Sequence, residues 1–99
     1  MTDPTNCEEV QTLLTRGAQL VDVRMPGEYA AGALPGASNL PVEAITQWVN
    51  QLDRDKPVLL YCRSGARSGA AQNFLRGLGF REAYNLGAYT AWRDCAGTA

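Results

Sequence analysis

Short apolar runs alternate with amphipathic helical stretches along the whole of this 99-residue chain, and that alternation restricts its fold more than any other feature. Gln19-Leu20-Val21-Asp22-Val23 and Val58-Leu59-Leu60-Tyr61 have the character of buried strands, 82–86 of a last strand and 37–40 of a brief one. The segments between them carry helical periodicity. Asn6 and Glu9 have N-cap and N3 spacing ahead of a stripe of Val10, Leu13 and Leu14, with Gly17 as a stop. Residues 42–52 place Val42, Ile45, Val49 and Leu52 on one face. Residues 68–78 are expected to turn Ala70, Ala71, Phe74, Leu75 and Leu78 inward, and 88–95 to form a last helix. Pro26-Gly27 and Pro35-Gly36 make 24–36 a loop around at most a short helix at 28–31. Strands separated by helices cannot pair as hairpins, so the pattern predicts parallel pairing with helices on both faces. The expected architecture is a three-layer α/β domain, one domain over residues 1–99.

Charge and residue usage exclude several functions. A net charge of −1 with scattered basic residues argues against nucleic-acid and membrane-surface binding. No apolar stretch approaches the roughly 20 residues of a membrane span. Residues 1–6 show neither a basic n-region nor an apolar h-region, which predicts a cytoplasmic protein. The chain has no histidine, which removes Cys–His and Ser–His catalysis and His-ligated metal sites. Cys7, Cys62 and Cys95 are too few and too far apart for a four-thiolate zinc site. Their odd number, without a secretion signal, argues against a disulfide framework, so Cys7 and Cys95 are expected to be incidental. A resolving role for Cys95 beside a reactive thiol is the alternative.

Cys62 stands apart. It follows the Val58–Tyr61 run directly and precedes Arg63-Ser64-Gly65-Ala66-Arg67-Ser68, where the next helix begins. Open α/β sheets bind ligands at the carboxyl ends of their strands. The backbone N–H groups of a small loop entering a helix make an anion cradle. The same field lowers a thiol pKa, so Cys62 is expected to be a nucleophile near neutral pH, in contrast to an inert core cysteine. Arg67 lies five positions after Cys62, whereas a Cys-X5-Arg phosphatase needs the arginine where Ser68 stands. A shorter loop suits a single added sulfur better than a phosphoryl group. Expelling sulfite from thiosulfate needs no proton donor, unlike expelling an alkoxide, and this favours sulfur transfer over a phosphatase or arsenate-reductase reaction.

The chain resembles the single-domain rhodanese (thiosulfate sulfurtransferase) family from about Asn6 to Trp92. Leu20-Val21-Asp22-Val23-Arg24 with Glu28-Tyr29 is similar to its D-x-R…E-[FY] segment. Residues 32–39 resemble G-H-I-P-G-A-x-N, residues 62–68 match C-R-S-G-x-R-S, and 85–92 resemble N-L-x-G-G-x-x-x-W. Ala33 in place of a histidine and Ala88 in place of a second glycine depart from the pattern. The resemblance implies a central, mostly parallel five-stranded sheet and a ping-pong reaction through a Cys62 persulfide.

In that reading Cys62 is catalytic and Arg63, Ser64, Gly65, Ala66, Arg67 and Ser68 form the substrate loop. Its N–H groups hold the thiolate and then the terminal sulfur, as in an oxyanion hole. Arg63 and Arg67 draw in dianionic thiosulfate, Arg67 also bracing the loop, Ser64 and Ser68 supply hydroxyls, and Gly65 allows close backbone approach. Asp22 and Arg24 are expected to give structural support as an ion pair or strand-end set, with Asp22 also available to orient Arg67. Trp48 and Trp92 are expected core anchors. No metal or organic cofactor is implied. The acceptor is a thiol, cyanide or a dithiol protein such as a thioredoxin. The alternatives are a sulfur-carrier or regulatory module charged by a partner protein, and a 3-mercaptopyruvate donor, which a cationic loop disfavours.

Overall fold

A computed structural model describes residues 2–96. Four strands, β1 (Gln19–Asp22), β2 (Ser38–Asn39), β3 (Val58–Cys62) and β4 (Ala83–Ala88), form one wholly parallel sheet in the order β2-β1-β3-β4. The helices are α1 (Cys7–Thr15), α2 (Pro26–Ala30), α3 (Ile45–Trp48), α4 (Ala66–Gly77) and α5 (Tyr89–Ala96). Side-chain alternation along β3 divides the core. Leu59 and Tyr61 face α1 and α5 with Val10, Leu13 and Trp92, while Val58, Leu60 and Cys62 face α3 and α4 with Trp48, Ala71 and Leu75. All five β3 residues are fully buried, as a central parallel strand must be. Both tryptophans are core anchors, Trp48 also donating to the Pro41 carbonyl at 2.7 Å.

The sheet has four strands among the described residues, against the expected five. Thr2–Asn6 runs irregularly past edge strand β4 instead of pairing with it: the Asp3 carboxylate takes the Asn85 backbone N–H at 3.0 Å and the Gln72 amide at 2.7 Å. One side chain thus satisfies part of an edge that a fifth strand would cover.

Helix boundaries differ where a cap decides them. Asn6 caps α1 as expected, accepting the Glu9 N–H at 2.9 Å. Pro26 opens α2 where proline was read as a break, because the first helical position needs no N–H. Residues 42–52 form 3₁₀ turns on either side of the one-turn α3, not a continuous helix. On α4 only Ala71 and Leu75 of the expected inward set are buried; Ala70, Phe74 and Leu78 are exposed, since the sheet covers one side of that helix. No helix among the described residues is long and apolar enough to cross a membrane.

Cys7 and Cys95 form a disulfide, which overturns the expectation that both are incidental. Their sequence separation of 88 hides the pairing, but α1 packs beside α5 and brings the Cα atoms to 5.6 Å, inside the range a disulfide spans. Cys95 packs with the cluster on the sheet face opposite Cys62, so it is not placed to resolve chemistry there. Denatured, unreduced protein should show one titratable thiol and reduced protein three; reduction should lower stability by roughly 2–4 kcal/mol. Three thiols before reduction would remove the bond from the account.

Candidate active site

Cys62 ends β3, buried, with its side chain on the α4 side of the sheet. The chain leaves the strand through Arg63, Ser64 and Gly65 and enters α4 at Ala66, two residues earlier than the sequence suggested. Gly65 is the reason. As N-cap it adopts φ +98°, and a Cβ there would lie 3.2 Å from Gly87 Cα, so glycine meets both the conformational and the spatial demand. Arg67 and Ser68 therefore belong to the first helical turn and not to an open loop. Exposed Arg63 and Ser64 form the outer rim.

The sulfur sits at the convergence of donors. Gly65 N–H donates to Cys62 Sγ at 3.0 Å, and the Ser68 hydroxyl lies 3.4 Å away. Burial pushes the thiol pKa up. The Ser68 hydroxyl and the N–H groups of Ser68, Ser64 and Gly65 outweigh that and leave it below an ordinary thiol. Preorganised dipoles thus favour the thiolate.

Asn85 holds this arrangement together, and no role was read for it beyond its place in the closing motif. Its Oδ1 accepts from Ser68 Oγ at 2.7 Å and Gly87 N–H at 2.8 Å, and its Nδ2 donates to the Gly65 carbonyl at 3.1 Å. A bulge puts it there: Leu60 pairs with Asn85 and Tyr61 with Gly87, leaving Leu86 as the extra residue. The Ser68 hydroxyl has one proton, shared in prospect between Asn85 and the sulfur; it turns toward sulfur when the sulfur is charged.

Asp22 and Arg24 form a buried, forked ion pair with contacts of 2.7 to 3.1 Å. Arg24 also donates to the Gly32 carbonyl at 2.6 Å and lies over the rings of Tyr89 and Tyr61, 4.6 and 5.6 Å from their centroids. The ion pair expected between Asp22 and Arg24 is formed. Asp22 does not orient Arg67, however. That arginine is forked onto Glu28 at 2.8 and 3.0 Å, which ties α2 to α4. Glu28 entered the sequence reading only through a motif; 39 residues separate the partners, and nothing local signals the contact. Of the two departures from the family pattern, Ala88 lies opposite Cys62 in the sheet register, and Ala33 precedes Leu34, whose N–H donates to the Tyr61 hydroxyl at 2.9 Å.

The family model for the rhodanese-like domain matches residues 6–95. The chain is 46% identical to the uncharacterised protein YqhL of Bacillus subtilis over 78% of this chain, spanning 62% of that protein's length. It is 36% identical to the thiosulfate sulfurtransferase GlpE of Pseudomonas entomophila, over 88% of this chain and 81% of that one. Among solved structures, the human single-domain sulfurtransferase TSTD1 superposes with a TM-score of 0.79 at 28% identity, over 95% of this chain and 97% of its own. The fold is that of the single-domain sulfurtransferases that the chain resembles. The chain belongs to the rhodanese-like domain family.

Proposed function

We propose that Cys62 carries sulfane sulfur as a persulfide in a ping-pong transfer from thiosulfate, or a related persulfide donor, to a thiol or cyanide. The observation that carries this reading is the Gly65 N–H aimed at Cys62 Sγ from 3.0 Å, within a ring of N–H groups that holds the thiol pKa down. The thiolate attacks the donor's outer sulfur, the donor S–S bond breaks, and sulfite leaves with the electron pair. An S–S bond of about 2.05 Å carries the new terminal sulfur outward from the buried Sγ toward the loop amides. In this reading these amides hold charge there as they held it on the thiolate. An acceptor thiolate or cyanide then attacks the terminal sulfur and regenerates Cys62. Electrons and charge balance in both halves without a metal or an organic cofactor. A dithiol protein fits the second half-reaction as well as a small thiol.

Intact-protein mass spectrometry after incubation with thiosulfate tests this directly. A gain of about 32 Da, lost again on adding cyanide, is the expected result for one sulfane sulfur on a thiol. No adduct on folded protein with Cys62 reduced would remove thiosulfate as donor and favour charging by a partner protein.

A further inference from the structure

The two arginines that follow Cys62 differ in what they leave available to a ligand. Arg67 spends Nη1 and Nη2 on the Glu28 carboxylate, and Glu28 Oε1 also accepts the Met25 N–H at 2.9 Å, which fixes the carboxylate from behind. Both side chains keep about 30% exposure, so the pair lies at the surface of the site and not in the core. Glu43 is a second acidic neighbour of Arg67. Arg63 is exposed and pairs with no carboxylate among the described residues. A carboxylate about 3 Å from a guanidinium converts a single charge into a dipole, whose field falls off faster with distance than that of a free cation. The Arg67 guanidinium first, then the Met25 N–H, hold the Glu28 pKa down to about 2, so the pair persists wherever a thiolate is present.

We propose that Glu28 sets donor selectivity: by occupying Arg67 it leaves Arg63 as the uncompensated cation of the loop, so the site favours a sulfane donor with one negative charge at its reacting end, such as an organic persulfide or thiosulfonate, over dianionic thiosulfate. This rests on Cys62 being the sulfur-accepting nucleophile. With a thiosulfonate, the thiolate attacks the outer sulfur, the S–S bond breaks and the sulfinate leaves with the electron pair. With an organic persulfide, the thiolate RS⁻ leaves in the same way. Either donor brings one negative charge fewer to the mouth than thiosulfate does.

Glu28→Gln tests this, because the amide keeps the length and an oxygen for Arg67 and the Met25 N–H while removing the charge. At low salt, kcat/KM with cyanide as acceptor should rise about tenfold for thiosulfate and about threefold for benzenethiosulfonate, with the difference shrinking as salt is added. Alkylation of Cys62 should shift the same way, the rate ratio of iodoacetate to iodoacetamide rising about threefold. Arg63→Gln, at an exposed position, should move both ratios in the opposite direction, and it keeps the test open should Glu28→Gln not fold. A purely architectural Glu28 would lower Tm and all rates together without moving either ratio, and that result overturns the proposal. If alkylation shifts as expected but neither donor is turned over by any variant or by the parent protein, the transfer reading fails and the donor selectivity falls with it.

Discussion

Cys62→Ser is expected to reduce sulfur transfer to background, a loss of roughly 10⁴-fold or more, with the fold intact. An alcohol is not ionised near neutral pH and holds no sulfane sulfur. The substituted oxygen still accepts the Gly65 N–H that the sulfur accepts at 3.0 Å, so no buried donor is orphaned and stability should change by only about 1 kcal/mol. Loss of turnover with an unchanged unfolding midpoint would therefore be a chemical effect. The pH dependence of the parent protein supplies the complement. Alkylation of Cys62 by iodoacetamide should rise with pH and level off, with a midpoint below the roughly 8.5 of a free thiol. Because the folded pKa is depressed, the thiolate's contribution to stability is complete above the unfolded pKa and is lost as pH falls through the folded one. A midpoint at or above the free value would mean that burial outweighs the loop's donors, and the activation argument would fail.

Asp22→Ala should have the largest effect on stability, a loss of about 3–5 kcal/mol in denaturant unfolding. The carboxylate is fully buried and receives Nε, Nη2 and the backbone N–H of Arg24, so its removal strands the guanidinium of a side chain only 7% exposed. Against a typical total of 5–15 kcal/mol for a small domain, that leaves a marginal fold. The Asp22→Ala, Arg24→Met pair should recover much of the loss, because no buried charge then remains unpaired. A single variant within about 1 kcal/mol of the parent would show that water reaches Arg24 and that the pair is not structural support.

Much of the site was legible because it is continuous in sequence. Cys62 to Ser68 carries thiol, glycine, arginines and helix start within seven residues, and local rules suffice to place an anion cradle there. The partners that tune it were not legible. Glu28 and Asn85 reach the site from α2 and from a bulged edge strand. Each is a common polar residue whose neighbours in sequence say nothing about what it will face. Arg67 shows the cost: its charge was visible, and its neutralisation by a residue 39 positions away was not.

The same division runs through the fold. The short apolar runs and period-3.6 stretches of the chain were enough to define three layers, parallel strands, and a thiol at the carboxyl end of one of them, because burial pattern and crossover length are local constraints. Strand count, the cysteine bond and the arginine's partner were settled by folding. The edge beyond β4 is occupied by one Asp3 carboxylate and not by a strand, and Cys7 meets Cys95 because α1 and α5 share a face of the sheet. These are contacts between segments remote in sequence, decided by which surfaces the packed layers bring within a few ångströms of one another.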